Sequence, residues 1–173
     1  LNIYTYQRDA TFGSEVKQKM LEPYQSFLEW LYCPPIDINS RSFHIMALKR
    51  LNQFRILCAH RRGYGGVEHI NDWISSSLSH MVKREAFGTK VHFNGQPIMI
   101  TQNDYALGRF NGDTGLMVKD ENGDLRAAFL DPNTGIQYIS PTRLPPYETV
   151  FAMTIHKSQG SEFRKCMIVL PFK

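Results

Sequence analysis

Over the first fifty residues, apolar positions return with the three-to-four spacing of a helix. Val16, Met20, Tyr24, Phe27, Leu28 and Leu31 fall on one face of a segment that Ser14 is placed to cap. Pro23 sits inside that run, where its missing N–H predicts a break or kink. A second helix is then expected from Pro23 to Tyr32, ended by Pro34-Pro35. A further helix over 40–53 turns Phe43, Met46, Ala47, Leu51 and Phe54 inward. These positions read as packing, not chemistry.

From residue 54 the rhythm changes. Arg55-Ile56-Leu57-Cys58-Ala59 is a short apolar run that fits a buried strand. It opens into His60-Arg61-Arg62-Gly63-Tyr64-Gly65-Gly66, and helical spacing resumes at Val67, Ile70, Ile74, Leu78 and Met81. Strand, glycine-rich basic loop and helix in that order are the arrangement of a nucleotide-binding α/β sheet, whose ligands lie at the carboxyl ends of strands. Pro97–Thr101 and Cys166–Leu170 read as further apolar strands. Between them, short β-like runs at Gly115–Lys119, Leu125–Leu130 and Ile136–Ile139 are separated by turn signals at 120–124 and 131–135. That stretch reads as a small β-barrel inserted into the α/β domain; Tyr105, Phe110 and Tyr138 could stack on bases there, but are better read as filling its core.

Composition narrows the classes. The chain has 173 residues, 42% apolar and 21% charged, with a net charge of +4, which is ordinary globular usage. Its longest apolar run, Cys166–Leu170, is far short of a membrane span, so no membrane partner and a cytoplasmic location are expected. Three scattered cysteines and the spacing of the histidines argue against a disulfide framework or a metal site. Charge is uneven: residues 41–90 and 151–173 are basic, and residues 91–150 are mildly acidic. Basic segments that meet in space would attract phosphate.

The richest segment is Phe151-Ala152-Met153-Thr154-Ile155-His156-Lys157-Ser158-Gln159-Gly160-Ser161-Glu162-Phe163. Gly160 allows close backbone approach to a ligand, Lys157 and His156 can meet phosphates, and Glu162 can accept from sugar hydroxyls. A polar loop capping the next strand has the same composition.

Residues 154–163 resemble motif V of superfamily 1 helicases, in the form found in the RecD family, superfamily 1B. Leu57–Val67 resembles the family's motif IV. Asn103-Asp104, with Leu107–Gly115, resembles the segment entering its inserted barrel. The resemblance spans most of residues 40–173. It implies a RecA-like (P-loop NTPase) second motor domain over 1–102 plus 147–173, interrupted at 103–146 by a small SH3-like barrel. It also implies an ATP-dependent 5′-to-3′ DNA helicase of double-strand break repair and recombination, using ATP with Mg²⁺, with single-stranded DNA and the RecB and RecC subunits as partners. By the same likeness Arg61 would be catalytic, reaching the γ-phosphate, with Arg62 as the alternative. Gly160 and Glu162 would face the nucleotide, and Thr154, His156, Lys157 and Asn103 the DNA. No Gly-x-x-x-x-Gly-Lys-Ser/Thr loop occurs in these residues, no Asp-Glu pair follows a strand to hold Mg²⁺ (Asp120-Glu121 belongs to a turn signal), and the family's last motif would lie past Lys173. The chain alone is therefore expected to be inactive, as a C-terminal fragment with no metal ligands of its own. Two rivals remain: a non-catalytic nucleic-acid or protein-binding module built on the barrel, and a conjugative relaxase-type helicase domain.

Overall fold

The computed structural model describes residues 11–171. Residues 1–10 and 172–173, which the expected motor-domain range includes, lie outside them.

The first helix, α1 (Ser14–Leu31), runs unbroken through Pro23, so the expected division into two helices does not occur. A proline inside a helix costs about 3 kcal/mol. Met20, Tyr24, Phe27, Leu28 and Leu31 are all buried on either side of it, and each large side chain so buried returns about 1.5–3 kcal/mol. Tertiary packing outweighs the local penalty. Nor is Ser14 the cap: it is the first helical residue, and Gly13 precedes it without a side-chain bond. Helix α2 (Ser40–Leu51) is capped by Asn39, whose side chain accepts from the Ser42 N–H. Its Met46 points outward, contrary to expectation, and His44 is buried instead.

Strand β1 (Phe54–Cys58) follows, then α3 (Val67–Ser77). A hairpin that the apolar pattern did not disclose, β2 (Arg84–Phe87) with β3 (Lys90–Phe93), leads to β4 (Pro97–Ile100). Next come β5 (Thr114–Lys119), β6 (Leu125–Asp131) and β7 (Gly135–Ile139). The chain ends with β8 (Tyr147–Thr149), β9 (Ala152–Thr154) and β10 (Lys165–Val169).

Apart from the β2–β3 hairpin, two sheets organise these strands, giving an α/β protein. One is parallel, in the order β10-β1-β9. Ile56 and Cys58 of β1 join the core under the helices, while Leu57 faces the other way onto Met99, Val150, Met153 and Phe163. The alternation is that of a strand buried on both faces.

The second sheet is antiparallel, in the order β7-β6-β5-β4-β8. It is open: its edge strands β7 and β8 do not pair, so the expected closed barrel is not found among the described residues. Two features account for this. Leu116, Val118, Ala128 and Ile136 on one face share the helices' core, while Met117, Ala127 and Phe129 on the other form a cluster with Ile98 and Ile100. The sheet therefore buries both faces without curling onto itself. Strand β8 also continues through only two residues into β9 of the parallel sheet, which fixes its direction. Pro97–Ile100, read from sequence beside the parallel strands, pairs antiparallel with β5 and β8. The turn signals act as expected, with Asp120 and Asp131 accepting backbone N–H bonds inside the β5–β6 and β6–β7 connections.

Candidate functional site

The two loops richest in polar groups leave the carboxyl ends of neighbouring parallel strands. Cys58, the last residue of β1, lies opposite Thr154, the last of β9. The Ile155 N–H donates to the Cys58 carbonyl at 3.0 Å, holding the second loop against the first. In the first loop the carbonyls of His60 and Arg61 accept from the N–H groups of Val67 and Glu68, at 3.2 and 3.1 Å. The loop is thereby tied to the start of α3.

Arg61 is held by two carboxylates. Its Nη2 lies 2.5 Å from Glu148 Oε2, its Nη1 3.3 Å from Glu148 Oε1, and its Nε 3.1 Å from Glu68 Oε1. The bond to Glu148, and then the one to Glu68, raise the guanidinium's already high proton affinity. Lys157, in the second loop, brings its Nζ to 3.9 Å from the same Glu148 Oε1. One carboxylate thus gathers a cation from each loop. Glu148 stands on β8, opposite Met99 of β4, and so belongs to the antiparallel sheet. Arg62 is exposed and makes no ion pair among the described residues.

The other candidates are less concentrated. Thr154 Oγ1 accepts from the Lys157 N–H at 3.2 Å, inside the 3₁₀ turn His156–Ser158. His156 is exposed. Gly160 has φ +82°, a left-handed conformation that favours glycine, and open space lies where a side chain would stand. Glu162 is exposed and unpaired among the described residues. It lies three residues before Lys165, which pairs with Phe54 at the amino end of β1, so the chain is there descending away from the Arg61 end. Asn103 is bound into a separate loop, where its Oδ1 accepts from the Asn111 N–H at 2.8 Å. In that loop Tyr105 and Phe110 are 79% and 46% exposed, contrary to the expectation that they fill a core.

Sequence reasoning missed Glu148 and Glu68. Glu148 follows Pro145-Pro146-Tyr147, and nothing in that surrounding marks it; only the pairing of β8 with β4 brings it to Arg61. Buried Arg55 was also missed. It is fully buried, with Nη1 2.5 Å from the Val150 carbonyl, Nη2 3.2 Å from Asn52 Oδ1, and its guanidinium 5.6 Å over the Phe163 ring. Burial lowers its proton affinity. It fastens the second loop to the junction of β8 and β9.

No group of three or more His, Cys, Asp or Glu among the described residues is placed to hold a metal, and no helix among them is long and apolar enough to cross a membrane. For polyphosphate the fit is partial: two cations already share one oxyanion, Glu148, but the residues present make one wall and not an enclosed cradle.

No protein-family profile matches the chain. Curated proteins do. The RecBCD enzyme subunit RecD of Mycolicibacterium smegmatis is 42% identical over 125 residues, covering 72% of this chain and 21% of its own. This chain is a RecD relative. The RecD subunit of Buchnera aphidicola subsp. Acyrthosiphon pisum is 31% identical over 176 residues, covering 98% of this chain and 28% of that protein. That of Haemophilus influenzae is 33% identical over 166 residues, covering 91% and 24%. The RecD relative described here thus spans about a quarter of the length of the curated RecD proteins it matches. A solved structure of Bacteroides Pif1 bound to ssDNA overlaps 85% of this chain and 42% of that one, with 19% identity and a TM-score of 0.42.

Proposed function

We propose that this chain is a C-terminal motor-domain portion of a RecD-like ATP-dependent 5′-to-3′ DNA helicase acting in double-strand break repair and recombination. Its parallel sheet belongs to the second RecA-like domain, 1–102 plus 147–173. The SH3-like insertion at 103–146 supplies β5, β6 and β7 of the open antiparallel sheet, which β4 and β8 complete from outside that range. Single-stranded DNA is the track, RecB and RecC are the partner subunits, and the cytoplasm is the compartment. The observation that carries the reading is the convergence of Arg61 and Lys157, from adjacent carboxyl-end loops, in a chain whose relatives are RecD subunits.

ATP with Mg²⁺ supplies the phosphoryl transfer, and most of its ligands lie outside these residues. Arg61 neutralises charge on the outer phosphate; among arginines 61 and 62 it is the one already oriented by carboxylates. Gly160 gives a side-chain-free approach, and Glu162, free in solvent, is available to sugar hydroxyls. Thr154 sets the turn that presents His156 and Lys157 toward DNA, with Asn103 a contact on the separate loop.

The test is an ATPase and strand-separation assay on the full-length protein carrying Arg61→Ala. An arginine of this kind is worth about a thousandfold or more in turnover, so hydrolysis should fall by that order while single-stranded DNA binding persists. Arg62→Ala should remain active. Wild-type turnover with Arg61→Ala would refute the assignment, and the isolated chain should not turn over ATP at all.

A further inference from the structure

We infer that Glu148 is a positioning residue that holds Arg61 in the absence of polyphosphate and is displaced from it when a polyphosphate arrives. This rests on the proposed role of Arg61. Glu148 occupies both terminal nitrogens of Arg61, at 2.5 and 3.3 Å, and these are the donors a phosphate would need. The carboxylate therefore stands in for the anion: it has two oxygens in one plane, matched to the guanidinium fork. A phosphate that takes this bidentate edge of Arg61 must replace it.

The geometry permits the exchange. The Arg61 side chain is 46% exposed, and Glu68 keeps its hold on Nε, so the terminal nitrogens can change partner without the arm losing its anchor. Glu148 need not be left unpaired, because Lys157 Nζ lies 3.9 Å from its Oε1. Arrival of an anion thus hands the carboxylate from one loop to the other. Since Glu148 belongs to β8, the exchange also loosens the tie between the Arg61 loop and the antiparallel sheet. Occupancy of the phosphate position would in this way be registered by the second sheet as a changed ion pair.

The full chain is titrated with inorganic pyrophosphate at constant ionic strength, as wild type, Glu148→Gln, Arg61→Gln and the double variant. Removing one partly screened charge should tighten pyrophosphate binding about fivefold in Glu148→Gln. Arg61→Gln should weaken it, and the gain from Glu148→Gln should vanish in the double variant. An unchanged affinity in Glu148→Gln, with Arg61→Gln weakened, would overturn the inference and leave the role of Arg61 standing. So would a gain of equal size in the double variant. If Arg61→Gln binds pyrophosphate as the wild type does, the proposed role of Arg61 fails and the inference with it. Should Glu148→Gln not fold, wild-type NMR decides: the Arg61 Nε–Hε and Glu148 carboxyl signals should move together during the titration. A Glu148 signal that stays fixed while Arg61 moves refutes the exchange.

Discussion

Gly66 is the residue on which the shape of the Arg61 loop most directly depends. Its φ of −78° is open to any amino acid, so the requirement for glycine there is steric and not conformational. A Cβ on Gly66 would stand 2.8 Å from the Arg61 carbonyl oxygen, 2.8 Å from that of Arg62 and 2.9 Å from the Arg61 carbonyl carbon. These are backbone atoms, so no side chain can swing aside. The Arg61 carbonyl also accepts the Glu68 N–H that begins α3, so relieving the clash strains a helix-start bond. Overpacking of this kind costs about 1–3 kcal/mol, and alanine is also a poorer helix cap than glycine. Against this stands about 0.4–1 kcal/mol from reduced freedom of the unfolded chain. Gly66→Ala should therefore destabilise by roughly 1–2 kcal/mol, which for a chain of this length lowers the melting temperature by about 2–8 °C. Gly13→Ala is the control: Gly13 also precedes a helix, has φ −60°, and meets nothing within 4 Å. Urea unfolding of the two variants isolates the clash, since propensity and capping changes are common to both. If Gly66→Ala unfolds at the same urea concentration as Gly13→Ala, the close approach does not hold the Arg61 loop.

Two further outcomes follow from burial. His92 is buried, with Nδ1 3.0 Å from Gln96 Oε1 and Nε2 2.8 Å from the Tyr147 hydroxyl, and burial pushes its pKa below the ordinary 6.5, with Lys90 adding to the shift. The unfolded chain then takes up the proton first. Stability is complete above 6.5 and declines as the pH falls toward the folded value, by at most about 1.4 kcal/mol per pH unit; His44, also lowered, adds in the same direction. Denaturant melts from pH 7.5 to 5 should show a shallower decline in His92→Gln, and an unchanged slope would remove His92 as the cause. Arg55→Ala should lower stability by several kcal/mol through lost packing and bonds, whereas Arg61→Ala should change it by about 1 kcal/mol or less; comparable urea midpoints for the two would refute the division.

How much the sequence disclosed differs by scale. The buried face of α1 was legible residue by residue, because helical spacing survives whatever the tertiary setting. Pro23 was misread for the complementary reason: the penalty is local, and the packing that overrides it comes from residues distant in sequence, such as Phe151, whose carbonyl accepts from the Tyr24 hydroxyl at 2.5 Å. Pro97–Ile100 reads as a strand, but as one beside the parallel strands and not in the antiparallel sheet where it lies, since four apolar residues carry no sign of direction. The β2–β3 hairpin has runs of only four residues around Gly88-Thr89, too short to register as periodicity. At the site, Arg61 and Lys157 were found because motif-like neighbours surround them. Glu148 was not, because its role is conferred by the β4–β8 pairing alone.

The contrast between Arg55 and Arg61, six residues apart on one strand and its exit loop, shows why the site lies where it does. Arg55 is fully buried; its charge is compensated by a carbonyl, an amide oxygen and an aromatic face, and losing any of these leaves a buried cation with less compensation. Such a residue cannot change partners. Arg61 is half exposed, so water screens its pairs and each contributes little to folding. A weakly stabilising ion pair is one that another oxyanion can replace at little expense to the fold. Position along the strand decides between the two roles: inside the sheet an arginine is a fastening, and beyond its carboxyl end, between two loops and beside a lysine, it is free to exchange one anion for another.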